Sequence, residues 1–535
     1  MTSGTQAQGA FDTDLEVVGT ILPMFGWVMF PSGPAVRVTA YVDGVACPAR
    51  PAVPRGDLVP MFGAMAAAAG FQCWWEPRLA EGERRIVTAA VRAEGRHGEI
   101  WQTADRSITM SRPVGSASMA GADAELVRQA DQLVGRTPVR TMHGAHDAPE
   151  APRLCFFVHD LALGGGQLWM QDLLLRLAQE QSARIWVVSP QDGVLRAALE
   201  AVGITVHITG GYGVDPAHYA GRVVELAALL RLWAIDAVLV NTMGLLVAAD
   251  AAVVAGLPFI WAIHESYGLA EYALLGLGIS SIDPALERRW IAAMESATLM
   301  FVSDSTSELV GAYAPAAPCA TVPYGIDRAA IDDFRATWDR DAQRAAWGWS
   351  RQDVVLLCMG VFGERKGNTA LVLAFARVAA SFPSARLVLV GSHGSPYCRL
   401  VEELVAGLGL ADRIRIIPLV EDTYPWFASA DVLVSASDVE SLPRSMIEAL
   451  AFGLPIASVD VFGIGELVVE GETGWLCRPR DIDALATCLR RVLDSSPQER
   501  AEMSRRCMEH PSGHRGTDFA VEIAAMLVGL ARGEQ

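Results

Sequence analysis

The chain has no CxxC pair and no His–Cys cluster at zinc-ligand spacing; its nine cysteines are scattered at positions 47, 73, 155, 319, 358, 398, 477, 488 and 507. A structural zinc site is therefore not expected, and reduced thiols in a cytoplasmic compartment fit the scatter. Excess positive charge is also missing. With 43 basic against 61 acidic residues and a formal charge of −18, the chain lacks the footprint of a nucleic-acid binder or of a protein held electrostatically on anionic lipid. An anionic ligand would have to be gripped by local donors. No apolar run stays unbroken over a membrane's width. The uncharged stretch between Glu16 and Arg37 is interrupted by Pro23, Pro31, Pro34 and several glycines, and no basic segment precedes it. It reads as strands rather than a membrane span or signal peptide, so at most a peripheral membrane association is expected.

What is present is apolar material for several cores. Hydrophobic residues make up 51% and charged residues 19% of 535 residues, too long for a single core. Residues 1–14 are small and polar and read as a disordered tail. Residues 15–112 carry short β-type runs such as GWVMF and RVTAYVDG, with Asp43-Gly44 as a hairpin signal, which describes a small all-β sandwich. Residues 113–152, rich in Gly, Ala, Ser and Pro, read as a linker with one helix around Ala122–Leu133. After that, apolar runs of strand length alternate with helical patterns. RLCFFVHD, ARIWVVS, DAVLVNT and PFIWAIHE belong to a first series over 153–338, and VVLLCMG, ARLVLVG and DVLVSAS to a second over 339–512. Continuous apolar strands joined by helices specify a parallel sheet covered on both faces. The fold class is therefore α/β, two Rossmann-like doubly wound domains behind an all-β domain. Residues 513–535 read as a final helix packing back on the first Rossmann-like domain.

In open parallel sheets ligands bind beyond the carboxyl ends of the strands. Those exits carry Gly164-Gly165-Gly166, Asn241, His264-Glu265 and Tyr324-Gly325 in the first series. In the second they carry Gly360–Gly367, Gly391-Ser392 and Ser435–Glu440. Within the last, Pro443 places a helix start near Leu442–Pro443. Amides around Ser441, Leu442 and Arg444, with the positive helix end, suit a diphosphate. Glu440 and Glu448, separated by seven residues, supply carboxylates that accept hydrogen bonds from sugar and ribose hydroxyls.

Glu440, Glu448 and the turn Gly453-Leu-Pro455 together resemble the hallmark of glycosyltransferase family 4, the retaining GT-B enzymes. LALGGGQ (161–167) resembles that family's glycine loop, Val322–Asp327 its entry into the second domain, and Gly471–Leu476 a late turn. The likeness covers about Arg153 to Leu493. Two departures stand out. The family's arginine is absent from its usual place before the lysine, leaving Arg365 beside Lys366, and Ser441 replaces a glycine. Gly26-Trp27, Tyr41–Gly44 and Gly70-Phe71 resemble the immunoglobulin-like modules attached to some bacterial glycosyltransferases.

The resemblance implies transfer of a sugar, with retention of configuration, from a nucleoside-diphosphate sugar to a glycan, lipid-linked or other acceptor. It implies catalytic roles for Glu440, His264 and Lys366, and donor binding by Arg365, Lys366, Ser441, Leu442, Arg444, Glu448, Gly165, Gly166 and Gly391. No metal and no other cofactor is expected. The competing reading is a catalytically inactive GT-B carbohydrate-binding or scaffolding protein whose β-sandwich does the work.

Overall fold

The computed structural model describes residues 7–77, 79–115, 123–136, 151–162, 165–211, 216–279, 281–514 and 518–533. Residues 1–6 of the expected tail, 116–122 and 137–150 of the expected linker, Gly164 of the glycine loop and Thr517 lie outside the described residues. The chain divides into two units, Met1–Arg112 with Ile326–His514, and Pro113–Gly325 with Arg515–Gln535.

In the first unit the N-terminal domain is mostly strand. Among the described residues eight strands join along one path and two short ones, Gly33–Pro34 and Ile100–Gln102, pair beside it; all pairings are antiparallel except where Arg106–Ser111 runs parallel to Glu16–Val18. Period-two alternation turns Leu22, Met24, Val28 and Phe30 inward from one strand and Val38, Ala40 and Val42 from another. The long strand Val45–Val53 pairs with Arg37–Val42 through its first half and with Gly70–Trp75 through its second. The expected tail is shorter than 1–14. Gln8–Phe11 is a strand on Leu22–Phe30, and Phe11 is buried. One aromatic in a polar stretch is enough to dock an edge strand whose backbone bonds come from its neighbour.

The rest of that unit is a six-stranded parallel sheet in the order Ile414–Pro418, Ala385–Ser392, Val354–Met359, Val432–Ser435, Ile456–Val459, Gly474–Cys477. Its helices cover both faces. Ile482–Asp494, for example, starts on an Asp481 cap and buries Ile482, Leu485, Ala486, Leu489 and Val492 at helical spacing. The expected domain boundary at 338/339 moves to Gly325/Ile326. The helix Arg328–Thr337 buries Ile331, and its Phe334 ring packs on Trp338, Tyr424 and Phe452. That aromatic cluster ties the helix to the second α/β domain.

The second unit holds a seven-stranded parallel sheet ordered Thr205–Ile208, Arg184–Ser189, Arg153–Phe157, Ala237–Asn241, Phe259–Ile263, Thr298–Phe301, Cys319–Thr321. Part of the expected linker is structured. The helix Asp123–Arg136 buries Leu126 and Ala130 in this unit's core, and its Asp131 pairs with Arg231 of the helix Pro216–Leu232. The last helix, Asp518–Ala531, lies along Gly165–Glu180. Phe519 stacks on Trp169 with ring centroids 6.2 Å apart. Both sheets change strand direction of succession beside their first strand, between Arg153–Phe157 and Ala237–Asn241 and between Val354–Met359 and Val432–Ser435, where a doubly wound sheet opens its crevice. No described helix is long and apolar enough to cross a membrane.

Phe519→Ala removes a fully buried ring that wedges against Trp169. It is expected to cost this unit about 3 kcal/mol, seen as a lower urea midpoint for its transition; an unchanged midpoint would show that the helix does not hold the unit.

Candidate active site

At the crevice of the second α/β sheet two strand exits are forced together. Gly367 has φ +65°, and a Cβ there would sit 2.2 Å from the Ala436 carbonyl oxygen. Only glycine permits this approach. It brings the short turn Glu364–Lys366 onto the segment that leads to Glu440, where the Asp438 amide donates to the Arg365 carbonyl at 2.8 Å. The Lys366 ammonium consequently pairs with Glu440 Oε1. Arg365 lies 3.6 Å from the same oxygen and donates to the Val439 carbonyl at 3.3 Å. Burial pushes the Glu440 carboxyl up, but Lys366 and Arg365 outweigh it and leave it below the ordinary value. A small recess meets this pair, lined by Gly360, Lys366, Ser437, Glu440, Pro443 and Ser445.

The helix beyond begins at Arg444, with Pro443 as its N-cap rather than inside its first turn. The expected start near Leu442–Pro443 thus shifts by a residue, because Pro443 keeps an extended backbone (ψ 115°). Ser441, in place of the family's glycine, is buried and is not among the positive-φ residues, so serine fits this turn without backbone strain. Leu442 is buried as well. Arg444 and Glu448 face each other one turn apart, Nε to Oε1 3.2 Å. Burial raises the Glu448 carboxyl further than Arg444 lowers it. Gly391 has a different explanation from ligand approach. Its φ is +120°, and a Cβ there would meet the Gly360 carbonyl oxygen at 2.2 Å.

In the other unit His264 leaves the strand Phe259–Ile263. Its Nε2 is 2.7 Å from Asn241 Oδ1 and its Nδ1 2.8 Å from the Tyr324 hydroxyl. Asn241 Nδ2 reaches the Gly166 carbonyl at 3.4 Å, which leaves its Oδ1 for the imidazole. His264 therefore donates from Nε2 and accepts from Tyr324 at Nδ1. The Trp169 ring meets its edge at a centroid distance of 4.7 Å. Burial, with the neighbouring His159, pushes this imidazole down to about 3, so it is a neutral hydrogen-bonding group. Glu265 Oε2 accepts from the His264 and Met243 amides at 3.0 and 2.9 Å, bracing the same exit. Thr242 between them holds φ at 93°, a strained value for a β-branched residue. Gly165 opens the helix behind this group with open space where a Cβ would be.

Strand exits alone point to Asn241 and Tyr324; their bonds to His264 emerge only in three dimensions. Another signal was in plain view. Lys366 is the one lysine among the 43 lysines and arginines of the chain. Everywhere else this sequence meets its need for a cation with arginine, which sets position 366 apart. Among the described residues no group of three or more His, Cys, Asp or Glu could hold a metal ion.

With this geometry in view, residues 339–509 match the family described as "Glycosyl transferases group 1". The D-inositol 3-phosphate glycosyltransferase of Geodermatophilus obscurus is 35% identical over 246 residues, 43% of this chain and 54% of that protein. The GDP-mannose-dependent alpha-(1-6)-phosphatidylinositol monomannoside mannosyltransferase of Mycolicibacterium smegmatis is 31% identical over 215 residues, 38% of this chain and 54% of that one. The chain spans about half the length of these curated relatives. HepE of Anabaena, solved with UDP-glucose, superposes with a TM-score of 0.58 at 20% identity, over 70% of this chain and 99% of that one. WaaG, a glycosyltransferase involved in lipopolysaccharide biosynthesis, gives 0.57 at 18%, over 70% and 100%. The fold is GT-B, two parallel-sheet α/β domains behind a mostly-strand domain.

Two expectations follow. Gly367→Ala strains the backbone and collides with a carbonyl, and should cost about 2–3 kcal/mol in chemical unfolding; a neutral effect would mean the two exits are not held by this contact. For His264, the unfolded imidazole takes its proton near the ordinary value of 6.5 and the folded one near 3. Stability from this group is full above about pH 6.5 and falls on acidification at up to about 1.4 kcal/mol per pH unit. His264→Gln should flatten that acid limb, and an equally steep limb in the variant would refute the assignment.

Proposed function

We propose that the chain is a glycosyltransferase that moves a sugar, with retention of configuration, from a nucleoside-diphosphate sugar to a hydroxyl of a glycan or lipid-linked acceptor. The observation that carries the reading is the grouping of Lys366, Arg365 and Glu440 before a helix start at the crevice of the second α/β sheet. The match over 339–509 and the relatives that transfer sugars support it.

In this reading the donor diphosphate takes the Lys366 ammonium and the Arg365 guanidinium as counter-charges, with first-turn amides that have no acceptor within the helix completing the cradle. As the anomeric bond breaks, negative charge grows on the departing diphosphate, and cations already in place favour that charge over the intact donor. These side chains take the part a divalent ion plays elsewhere, so turnover proceeds without added metal. Glu448 accepts from a ribose hydroxyl, and Glu440, kept ionised by its two cations, accepts from hydroxyls of the transferred sugar. The acceptor hydroxyl attacks from the face the diphosphate leaves. His264, neutral at working pH, contributes hydrogen bonds rather than charge.

A single lysine makes the reading directly testable. Amine acylation can modify only Lys366 and the chain's α-amino group, and uridine or guanosine diphosphate should slow the modification of Lys366, followed by peptide mass spectrometry. Lys366→Ala should lower kcat/KM for the donor turned over in a nucleotide-sugar screen by about 10²–10³-fold, and Glu448→Ala should raise its KM about tenfold or more. Unprotected acylation together with normal donor affinity in both variants would remove the assignment.

A further inference from the structure

The N-terminal domain grips the second α/β domain through a distorted stretch of one strand. Along Val45–Val53 the pairing register slips between Pro51 and Val53, and Ala52 takes φ +59°. Such a bulge re-aims the chain, and here the re-aimed residues all engage the other domain. The Ala52 carbonyl accepts from Thr369 Oγ1 at 2.8 Å. Arg50, 6% exposed, pairs with Asp438, 8% exposed. Arg480 donates to the Pro48 carbonyl at 2.8 Å, and the guanidinium groups of Arg50 and Arg480 lie 5.8 and 5.3 Å from the centre of the Trp74 ring.

Asp438 occupies the segment that delivers Glu440. Its amide donates to the Arg365 carbonyl, and two residues on, Glu440 faces Lys366 and Arg365. Burial raises the Asp438 carboxyl, and Arg50 and then Arg480 pull it back. A buried ion pair adds little net stability compared with apolar side chains of similar size, yet losing one partner strands the other. Holding two domains together therefore does not require a charge pair here.

We propose that Arg50 is a positioning residue of the donor site: through Asp438 it holds Ala436–Glu440 so that the Glu440 carboxylate meets Lys366 and Arg365. The N-terminal domain is then a working part of the donor-binding half. The loop-holding role stands on geometry alone, and its effect on nucleotide affinity rests on the glycosyl-transfer reading.

Amide hydrogen exchange on the full-length protein separates the two. Arg50→Met keeps the bulk of the side chain and removes its charge. It should speed exchange at Ala436–Leu442 about tenfold, leaving the strands Leu22–Phe30 and Val354–Met359 as protected as before. Asp438→Asn should do the same, and Arg50→Lys should restore most of the protection. By calorimetry, uridine or guanosine diphosphate should bind Arg50→Met about tenfold more weakly. Unchanged exchange at Ala436–Leu442 in both Arg50→Met and Asp438→Asn overturns the proposal. So does protection lost equally in Leu22–Phe30, which would make the pair a general clamp. Should the unaltered chain bind neither nucleotide, the glycosyl-transfer reading fails, while the exchange result still decides what Arg50 does.

Discussion

Two backbones cannot approach to the distance seen between residues 367 and 436 unless one of them lacks a Cβ, and the site in the second α/β domain depends on that approach. It sets the turn Glu364–Lys366 against the segment leading to Glu440, and the Lys366–Glu440 pair is the result. The ion pair serves before any ligand arrives. It keeps a long flexible ammonium stem from wandering, so under the proposed function less side-chain entropy remains to be lost when a diphosphate joins the pair. A chain with a formal charge of −18 cannot draw a diphosphate by its overall field. Under the proposed function, a fixed local pair of cations beside a helix start meets that need without changing the global balance.

The two α/β domains treat charge differently. In the second, carboxylates and cations are gathered at the crevice, and the Glu440 carboxyl is held below its ordinary value. In the first, the comparable crevice holds a neutral imidazole with both nitrogens occupied, bounded by Trp169 and Tyr324 and braced by a strained Thr242. Backbone strain persists only where the surroundings over-determine it. Here Trp261 Nε1 and the Ala262 carbonyl bond to Thr242 from the adjoining strand and hold it in place.

Much of this was legible in the sequence, for a physical reason: strands buried on both faces are written as unbroken apolar runs, and their exits must carry whatever chemistry the sheet presents. Lys366, Glu440 and His264 lie on those exits, and the structure sets Lys366 against Glu440 and His264 between Asn241 and Tyr324. Short-range signals failed where the deciding contact was distant. The strand Gln8–Phe11 has a polar, glycine-containing sequence and exists because a neighbour supplies its hydrogen bonds. The helix Arg328–Thr337 sits in sequence beside the first α/β domain, but its Phe334 finds partners at Tyr424 and Phe452. At Gly391 the sequence shows a strand exit but not the Gly360 carbonyl that a Cβ there would meet. No local pattern could have paired Arg50 with Asp438, since nothing in either neighbourhood marks the other.

The order in which the units complete themselves runs against the order of synthesis. The mostly-strand domain is made first, yet its contacts with Thr369, Arg480 and Ile482 span sequence separations such as 317 and 432 residues, with the whole first α/β domain between. During translation its bulged strand and the Trp74 face must wait, uncovered, until the ribosome has delivered nearly everything else. Closure over so long a loop adds little entropy cost beyond that of a shorter one. It does delay burial, so the bulged strand and the Trp74 face stay open to misassociation until residues around 480 have been added.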